Sequence, residues 1–387
     1  MGINQLLLTV LGFVVGLALS FRSSTAYERY KEGRKYWAQL TFVSQNLARL
    51  IWIHVDERHE QDAITGKNDL LGKISCLNLI SAYAVAVKHK LRFEPGMYYE
   101  DLERIVGHLE THAKAAEKPV RKRPNVFKTT GSFLGLPMAE ENPRKLVKKA
   151  RVPIGNLPLE ILSHLSAYMK TIFDNGTFKV GIYQTQSLNA LTTMNDVLTG
   201  TDCILNTPLP IAYSIAISQI TWVYILLLPF QLYKSLGWVT IPASIFAAYI
   251  ILGIALIGRE IENPFGDDVN DLPLDAFCEE IRKDIDIIMS RAPPRSEDFV
   301  VHEDNLPLYP LSPMSSKGWA DKSVDEIRDA LAAKPGLYYP MAEHNEHPKA
   351  QHADRHRKTE ADDAEKGEAG HGLAGHGGPV VAGDGSD

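Results

Sequence analysis

The sequence predicts an all-α, polytopic membrane protein that carries a bundle of helices outside the bilayer. Three uncharged, mainly apolar stretches are each long enough to cross a membrane as a helix: 3–20, 211–233 and 239–258. Between and after them, apolar side chains recur at helical spacing up to about residue 290. The overall composition, 45% hydrophobic and 23% charged residues, hides this pattern because the apolar residues are concentrated in the three stretches.

The composition also limits the chemistry of the chain. The net charge of -6 is mild, and the three cysteines are isolated and show no CxxC spacing, which predicts unpaired thiols. No Ser, Cys or His constellation, phosphate-binding loop or HExxH pattern appears. We therefore predict no enzyme activity, no required cofactor and no nucleic-acid partner.

The first membrane helix, 1–21, shows two stripes of side chains. Small residues recur every four positions and predict close approach of a neighbouring helix: Gly12, Gly16 and Ser20. Bulky apolar residues recur at the same interval, about 100 degrees round the helix: Phe13, Leu17 and Phe21. From this pattern alone, the bulky side chains either face lipid or, repeated round a symmetry axis, line a dry constriction.

Basic residues set the predicted orientation of the first helix. Five of them follow it closely and favour the cytosolic side: Arg22, Arg29, Lys31, Arg34 and Lys35. No Lys or Arg precedes the apolar core, which distinguishes the segment from a secretory signal peptide. We expect an integral protein of the plasma membrane with its N-terminus outside and most of the chain in the cytosol.

Residues 22–208 predict a cytosolic helical domain. A long helix, 22–55, continues out of the membrane, and 74–87 is apolar but too short to span, so it predicts a buried helix. Apolar spacing over 102–109 predicts another amphipathic helix. The loop 114–151 is basic and rich in Pro and Gly, which indicates either a surface loop or a patch that contacts phosphoinositides.

Proline and glycine mark the next helix boundaries. Asn156 before Pro158 predicts a capped helix start, and the turn at Gly176 separates a helical pair, 159–173 and 178–198. The second membrane helix is predicted at 209–233, with Pro229 kinking or ending it. The third is predicted at 239–258, with Pro242 in its first turn.

The remainder divides into an acidic segment and a C-terminal region. The segment 259–292 combines an acidic motif with an amphipathic cytosolic helix. The region 293–387 is predicted to be irregular apart from a short helix at 324–331. From about residue 340 it becomes a His-rich tail without large apolar residues, for which we predict a disordered, solvated linker rather than a metal site.

Three separated stretches carry a resemblance to a known family. They read FRSSTAYERYKEGRKYW at 21–37, TPLPIAY at 207–213 and ENPFGDDVNDLPLD at 262–275. In sequence, order and interval they resemble the bestrophin anion-channel family in its bacterial and fungal branch. The resemblance covers roughly 3–289 and includes neither the basic loop nor the tail.

The resemblance implies a homopentamer with a narrow membrane neck, a wider cytosolic vestibule and passive conduction of small anions, chloride by default. The family's three neck residues fall on Phe13, Leu17 and Phe21, which favours the pore-lining alternative. Five such stripes form a dewetted gate, and the positive edges of phenyl rings suit a partly dehydrated anion. A second constriction is implied on the helix after Gly176, at Val180 or Ile182.

The resemblance also implies a regulatory calcium site in the acidic motif. The matching positions are Asn263 and Asp267 through backbone carbonyls, and Asp268 and Asp271 through carboxylates, which are ligands that calcium favours. The spacing does not fit an EF-hand loop. The alternative is that these carboxylates cap the predicted helix 272–289 at the positive end of its dipole.

Two departures from the family pattern limit what the resemblance implies. The family has four membrane spans and this chain begins at the second, for which a truncated gene model is the expected explanation. A missing first span also removes a backbone ligand of the calcium site. Similar bacterial proteins pass cations, so the sign of the ion stays open, and a non-conducting membrane scaffold that binds a cytosolic partner is the alternative function.

Overall fold

The computed structural model describes residues 5–60, 62–115 and 155–337, and within them it is all-α, as predicted. No β-strand occurs in these ranges. The α-helices in chain order are α1 Gln5–His54, α2 Ala63–Leu91, α3 Glu100–Val106, α4 Leu157–Asp174, α5 Gly181–Asn206, α6 Ile211–Leu236, α7 Thr240–Glu260, α8 Leu274–Met289, α9 Ser296–Val300, α10 Ser316–Ala320 and α11 Val324–Ala333. The chain divides into two units, Met1–Pro293 and Pro294–Asp387.

The long helix α1 joins the membrane part of the first unit to its helical domain. It contains 50 residues, about 75 Å at 1.5 Å per residue, which is more than twice the thickness of a hydrocarbon core. The prediction that the first membrane helix continues without a break through 22–55 is confirmed.

The helical domain has one shared core. The second half of α1 packs with α2, α4, α5 and α8, and their fully buried side chains include Trp37, Leu40, Leu47, Tyr83, Ile161 and Ile281. The predicted helix over 102–109 is shorter than expected, since α3 ends at Val106. The cysteines Cys76, Cys203 and Cys278 are free thiols, as predicted.

The helix α2 is long and apolar enough to cross a membrane, but it lies inside this core. Of its most apolar window, 56% is buried within the chain, against 22% for α1 and 6% for the segment that contains α6 and α7. A helix whose apolar window is mostly covered by protein leaves less apolar surface for lipid. The prediction of a buried helix around 74–87 is confirmed, over the longer range Ala63–Leu91.

The other two predicted membrane helices form a hairpin. Pro229 lies inside α6, which continues to Leu236, so the expectation of an end at this proline is wrong. The chain reverses at Gly237, whose φ of +51° favours glycine, and a short 3-10 turn leads into α7. Pro242 lies in the first turn of α7, as predicted.

The pair formed by α4 and α5 confirms the predicted turn, because Gly176 has a φ of +71°. Asn156 does occupy the N-cap position of α4, but its side chain makes no capping hydrogen bond, so the predicted cap is wrong in that respect. The predicted basic loop is outside the described residues from 116 onward.

The second unit contains α9, α10 and α11. The helix predicted at 324–331 is confirmed as α11, and Ser323 and Glu326 form a capping box at its start. The predicted disordered tail, from about residue 340, falls outside the described residues.

Candidate functional site

The membrane half of α1 has a covered face and an uncovered face. Val15 and Leu19 are only 3% and 5% exposed because they pack in a small apolar cluster with α6 and α7. Phe13, Leu17 and Phe21 are 71%, 46% and 56% exposed. Because these positions are about 160 degrees round the helix from Val15 and Leu19, the predicted row of bulky side chains lies on the face that α6 and α7 leave uncovered.

The stripe of small residues on α1 meets two different environments. A Cβ atom added to Gly12 would lie 3.0 Å from the hydroxyl oxygen of Tyr224, so the tyrosine side chain of α6 packs against α1 there. At Gly16 nothing lies within 4 Å of the same position, and Ser20 is exposed. Gly12 therefore makes room for a side chain of α6, Gly16 and Ser20 present small residues on the uncovered side, and close approach of a helix backbone stays a prediction.

The residues predicted for a second constriction lie at the far end of α1. Val180 immediately precedes α5 and Ile182 is in its first turn, and both side chains are exposed. The neighbouring Tyr183 ring stacks on His54, the last residue of α1, with ring centroids 4.1 Å apart. At 1.5 Å per residue, the two predicted constrictions are therefore about 50 Å apart along α1.

The outer face of α5 carries neutral hydrogen-bonding side chains that the sequence reasoning did not single out. The exposed members recur at helical spacing: Thr185, Gln186, Asn189, Thr192, Asn195 and Thr199. The threonine hydroxyls donate to carbonyl oxygens four residues earlier in the helix. The exposed apolar side chain of Leu188 interrupts this polar face, and the first charged residue on it is Asp196.

The acidic motif forms a closed loop between α7 and α8. The carboxylate of Asp271 accepts a 2.9 Å hydrogen bond from the backbone N–H of Asp268, and the N–H of Leu272 donates to the carbonyl of Pro264. Phe265 is fully buried and anchors the loop in the core. The loop thus holds Asp268 and Asp271 side by side in one turn.

The predicted calcium ligands have separate contacts in this loop. Arg92 pairs with the carboxylate of Asp267 at 2.9 Å, whereas the predicted role of Asp267 uses its carbonyl oxygen. Burial raises the pKa of Asp271. The hydrogen bond from the Asp268 N–H lowers this pKa, whereas the negative charges of Asp268 and Asp267 raise it. A neighbouring cation would reverse that effect, so this carboxylate pair fits a cation chemically.

The described residues contain no group of three His, Cys, Asp or Glu side chains placed to hold a metal ion. The predicted set contains only two carboxylates, those of Asp268 and Asp271, and takes its other oxygens from the backbone. Calcium binding therefore stays a prediction.

The alternative in which these carboxylates cap the following helix is wrong. The helix α8 begins at Leu274, its N-cap is Pro273, and no side chain caps it. Asp275 does lie in the first turn, but Lys88 and Arg92 bind its carboxylate at 2.8 and 2.9 Å.

A charged cluster that sequence reasoning missed surrounds the buried side chains of Lys88 and His89 and joins α8 to the end of α2. His89 lies between two carboxylates, with Nδ1 2.8 Å from Glu94 and Nε2 3.0 Å from Asp101. Lys88 donates to both Asp101 and Asp275, at 2.6 and 2.8 Å. The only local signal was the KHK run that ends an apolar helix, which does not reveal its partners.

The contacts in this cluster shift the pKa values of its members. Burial alone would lower the pKa of His89, but hydrogen bonds to Asp101 and Glu94 raise it above its ordinary value. Burial would raise the pKa of Asp101, but His89 and Lys88 hold it well below its usual range. Since both His89 ring nitrogens face carboxylates, the imidazole is held as the cation.

Comparisons with known proteins agree with these features. The family model for the bacterial/fungal bestrophin protein matches residues 1–286. A voltage-dependent anion channel-forming protein of Nostoc sp. is 36% identical over 289 residues, which cover 74% of this chain and 78% of that protein. One from Synechocystis sp. is 34% identical over 281 residues, covering 72% of this chain and 76% of that protein.

Solved structures support the fold. A mutant of a bacterial bestrophin homologue from Klebsiella pneumoniae is similar with a TM-score of 0.55 at 21% identity, covering 75% of this chain and 90% of that one. At this identity the similarity concerns the fold alone. The family match over 1–286, together with relatives above 30% identity, establishes the family: this chain belongs to the bacterial and fungal bestrophins.

Proposed function

We propose that this chain is the subunit of an oligomeric channel that conducts small anions, chloride by default, passively through a central pore. The observation that carries the proposal is the exposed row of Phe13, Leu17 and Phe21 on α1. The names of the Nostoc and Synechocystis relatives, voltage-dependent anion channel-forming proteins, support the same function. Family membership assigns the chain to channels rather than to enzymes.

In a homopentamer, five copies of α1 would present three stacked apolar rings to the pore axis. A narrow apolar ring expels water and acts as a gate. The positive edges of the phenyl rings of Phe13 and Phe21 suit an anion that has lost part of its hydration shell. Gly16 and Ser20, which no part of the described chain covers closely, would let the α1 helix of the next subunit approach.

The cytosolic part of the pathway would begin beyond this neck. We assign the second constriction to Val180 or Ile182, whose exposed side chains lie beside the end of α1. The outer face of α5 carries no charged side chain from Thr185 to Asn195, and this part would form a wall that hydrates a passing ion without binding it through full charges. Conduction requires interactions that are favourable enough for an ion to enter and weak enough for it to leave, and such a wall would meet both conditions.

The protein is an integral membrane protein, as its family and its apolar helices indicate. We place it in the plasma membrane with the helical domain in the cytosol. The support is the run of basic residues that follows the apolar half of α1. Membrane lipid then surrounds the exposed apolar faces of α6 and α7.

Calcium is the regulator that the acidic loop would bind. Asp268 and Asp271 would supply carboxylates, and Asn263 and Asp267 would supply carbonyl oxygens. The support is the closed loop, which already brings the two carboxylates into one turn, together with the raised pKa of Asp271. Bound calcium would add a positive charge beside this pair and stiffen the connection between α7 and α8.

Purified protein in planar bilayers tests the proposal directly. With chloride salts at different concentrations on the two sides, an anion channel gives a reversal potential close to the chloride equilibrium potential. If the salt is potassium chloride, a reversal potential near the potassium equilibrium potential would identify a cation channel of the same fold. Absence of any current, from protein that elutes as an intact oligomer, would favour the membrane scaffold.

A further inference from the structure

A small polar cavity lies between α1, α6 and α7 at the proposed cytosolic end of the membrane helices. Its volume is ≈ 20 Å³, room for about one water-sized group, and its polar lining comes from Arg22, Ser218, Thr221 and Arg259. Arg22 follows the apolar half of α1 directly, and Arg259 lies in the last turn of α7. The cavity is thus level with the boundary between hydrocarbon and water.

Two of the groups that line the cavity are buried without a hydrogen-bond partner. Thr221 is 3% exposed, and its Oγ1 has no hydrogen-bond partner. Arg22 is 8% exposed, and its Nε has no hydrogen-bond partner either. An Nη2 of Arg22 lies 3.7 Å from the carboxylate of Glu262, which is longer than a hydrogen bond. Buried polar groups in native proteins are normally satisfied, so these two donors indicate a ligand that accepts hydrogen bonds.

The charges around the cavity indicate an anionic ligand. Both charged residues in its lining are cations, the guanidinium groups of Arg22 and Arg259. Guanidinium groups favour phosphate and carboxylate oxygens, which they bind through planar, directed donors. The hydroxyl of Thr221 adds a neutral donor on the opposite side, from α6.

We infer that this cavity is a binding site for a phosphate group, with the headgroup of a membrane phospholipid as its source. A volume of ≈ 20 Å³ admits one phosphate oxygen but not the whole group, so the remainder lies at the mouth of the cavity. Basic pockets between membrane helices on the cytosolic side suit lipid headgroups. Trp222 also lines the cavity, and tryptophan is enriched at the level where a membrane meets water.

Binding at this site would also affect the acidic loop through Glu262. Glu262 is the first residue of that motif, and its carboxylate faces the same guanidinium that the phosphate would occupy. A bound phosphate therefore competes with Glu262 for Arg22. The site is independent of the row on α1 that carries the proposed pore.

Thermal unfolding of the purified full-length protein in detergent, with native mass spectrometry of retained lipid, tests the site. Titration with a short-chain phosphatidylglycerol should raise the midpoint of unfolding and show saturable retention of the lipid. Thr221→Val keeps the shape of the side chain and removes one donor to a charged group, so we expect at least about tenfold weaker binding. Arg259→Gln should weaken binding at least as much.

Lys31→Gln is the control, since it removes the same charge from an exposed position on α1 outside the cavity. Lys31→Gln should bind phosphatidylglycerol with the same affinity as the unchanged protein. Inorganic phosphate that protects as well as the lipid does, with the same loss in Thr221→Val, would support a phosphate site with a soluble source. Equal binding to the unchanged protein and to Thr221→Val, or protection by chloride alone, would overturn the inference.

Discussion

Arg29 Nε donates a 3.1 Å hydrogen bond to the carbonyl oxygen of Glu262, 233 residues further along the chain. The same guanidinium donates to the carbonyls of Ile204 and Thr207 at the end of α5, where helical carbonyls lack partners. One side chain on α1 therefore ties together the three stretches that resemble bestrophins. The planar fork of an arginine has enough fixed donors for three acceptors, whereas a lysine has one compact ammonium.

Arg29→Lys tests this junction. Lysine keeps the charge but cannot reach all three carbonyls, so we expect the free energy of unfolding to fall by about 1.5–3 kcal/mol. The measurement is the midpoint of thermal unfolding in detergent, which should fall in Arg29→Lys. Arg49→Lys is the control, because Arg49 on the same helix is exposed and its hydrogen bond reaches only the nearby Asn46. Equal midpoints for the two variants would contradict the assigned role of Arg29.

Gly33 on α1 sets the space for the acidic loop. A Cβ atom on Gly33 would lie 3.0 Å from Phe265 Cε1, and Phe265 is fully buried. We expect Gly33→Val to destabilise the protein by about 1–3 kcal/mol through overpacking. Gly33→Ala should cost less, since alanine favours the helix by about 1 kcal/mol. Gly253→Val is the control because nothing lies within 4 Å there, and a loss equal to that of Gly33→Val would argue against the contact.

The cluster around His89 predicts that stability falls as the pH rises through the raised pKa of this histidine. Below its ordinary pKa of 6.5, His89 is protonated in both folded and unfolded chains, so its contribution is fully present. The folded pKa is raised, so the contribution is lost as the pH rises through it and Glu94 and Asp101 lose their shared cation. The midpoint of thermal unfolding, measured from pH 6 upward, should fall, and His89→Gln should flatten this part of the curve.

Acid should destabilise the same region through the carboxylates. The pKa values of Asp101 and Asp275 are lowered in the folded protein, so their contribution to stability is present above about pH 4 and is lost as the pH falls further.

The outcome that would contradict the role of His89 concerns the alkaline side of the same curve. If the midpoint of thermal unfolding of His89→Gln falls with rising pH as much as that of the unchanged protein, groups other than His89 cause the fall.

The acidic loop predicts a calcium response that depends on two carboxylates. Asp268→Ala together with Asp271→Asn removes both charges, while the side-chain amide introduced by the second change would keep an acceptor for the N–H of residue 268. We expect this pair of changes to abolish any calcium-dependent current or calcium-induced rise in unfolding temperature. Asp286→Asn is the control, since Asp286 is an exposed carboxylate on α8 outside the loop. Full calcium sensitivity in the double variant would remove the proposed site.

Local sequence patterns predicted most of the helices because the forces behind them are local. Helical spacing of apolar residues indicated the unbroken α1 and the buried α2, and the turn before α5 followed from Gly176, which adopts a positive φ. Pro229 predicted either a kink or the end of the second membrane helix. The helix does not end there, because a proline lacks only one backbone donor, and α6 continues to Leu236.

Contacts between distant parts of the chain could not be predicted in the same way. The partners of Arg29 are backbone carbonyls, which every residue type offers, so no sequence pattern marks them. The partners of His89 are only 5 and 12 residues away, but Glu94 and Asp101 lie beyond the end of α2, and helical spacing does not predict how the chain after a helix folds back onto it. The row on α1 was predicted from its spacing, but only the packing of Val15 and Leu19 shows that it lies on the uncovered face.

The conductance of a variant in which Phe13, Leu17 and Phe21 are all replaced by alanine tests the central claim most directly. If these side chains form the neck, removing them widens and wets it, and the basal current per channel should rise with weaker discrimination between ions. The control replaces a matched row of exposed apolar residues on α7: Phe246, Ile250 and Ile254. An unchanged current and unchanged ion preference in the α1 variant would place its side chains away from the pore and contradict the account.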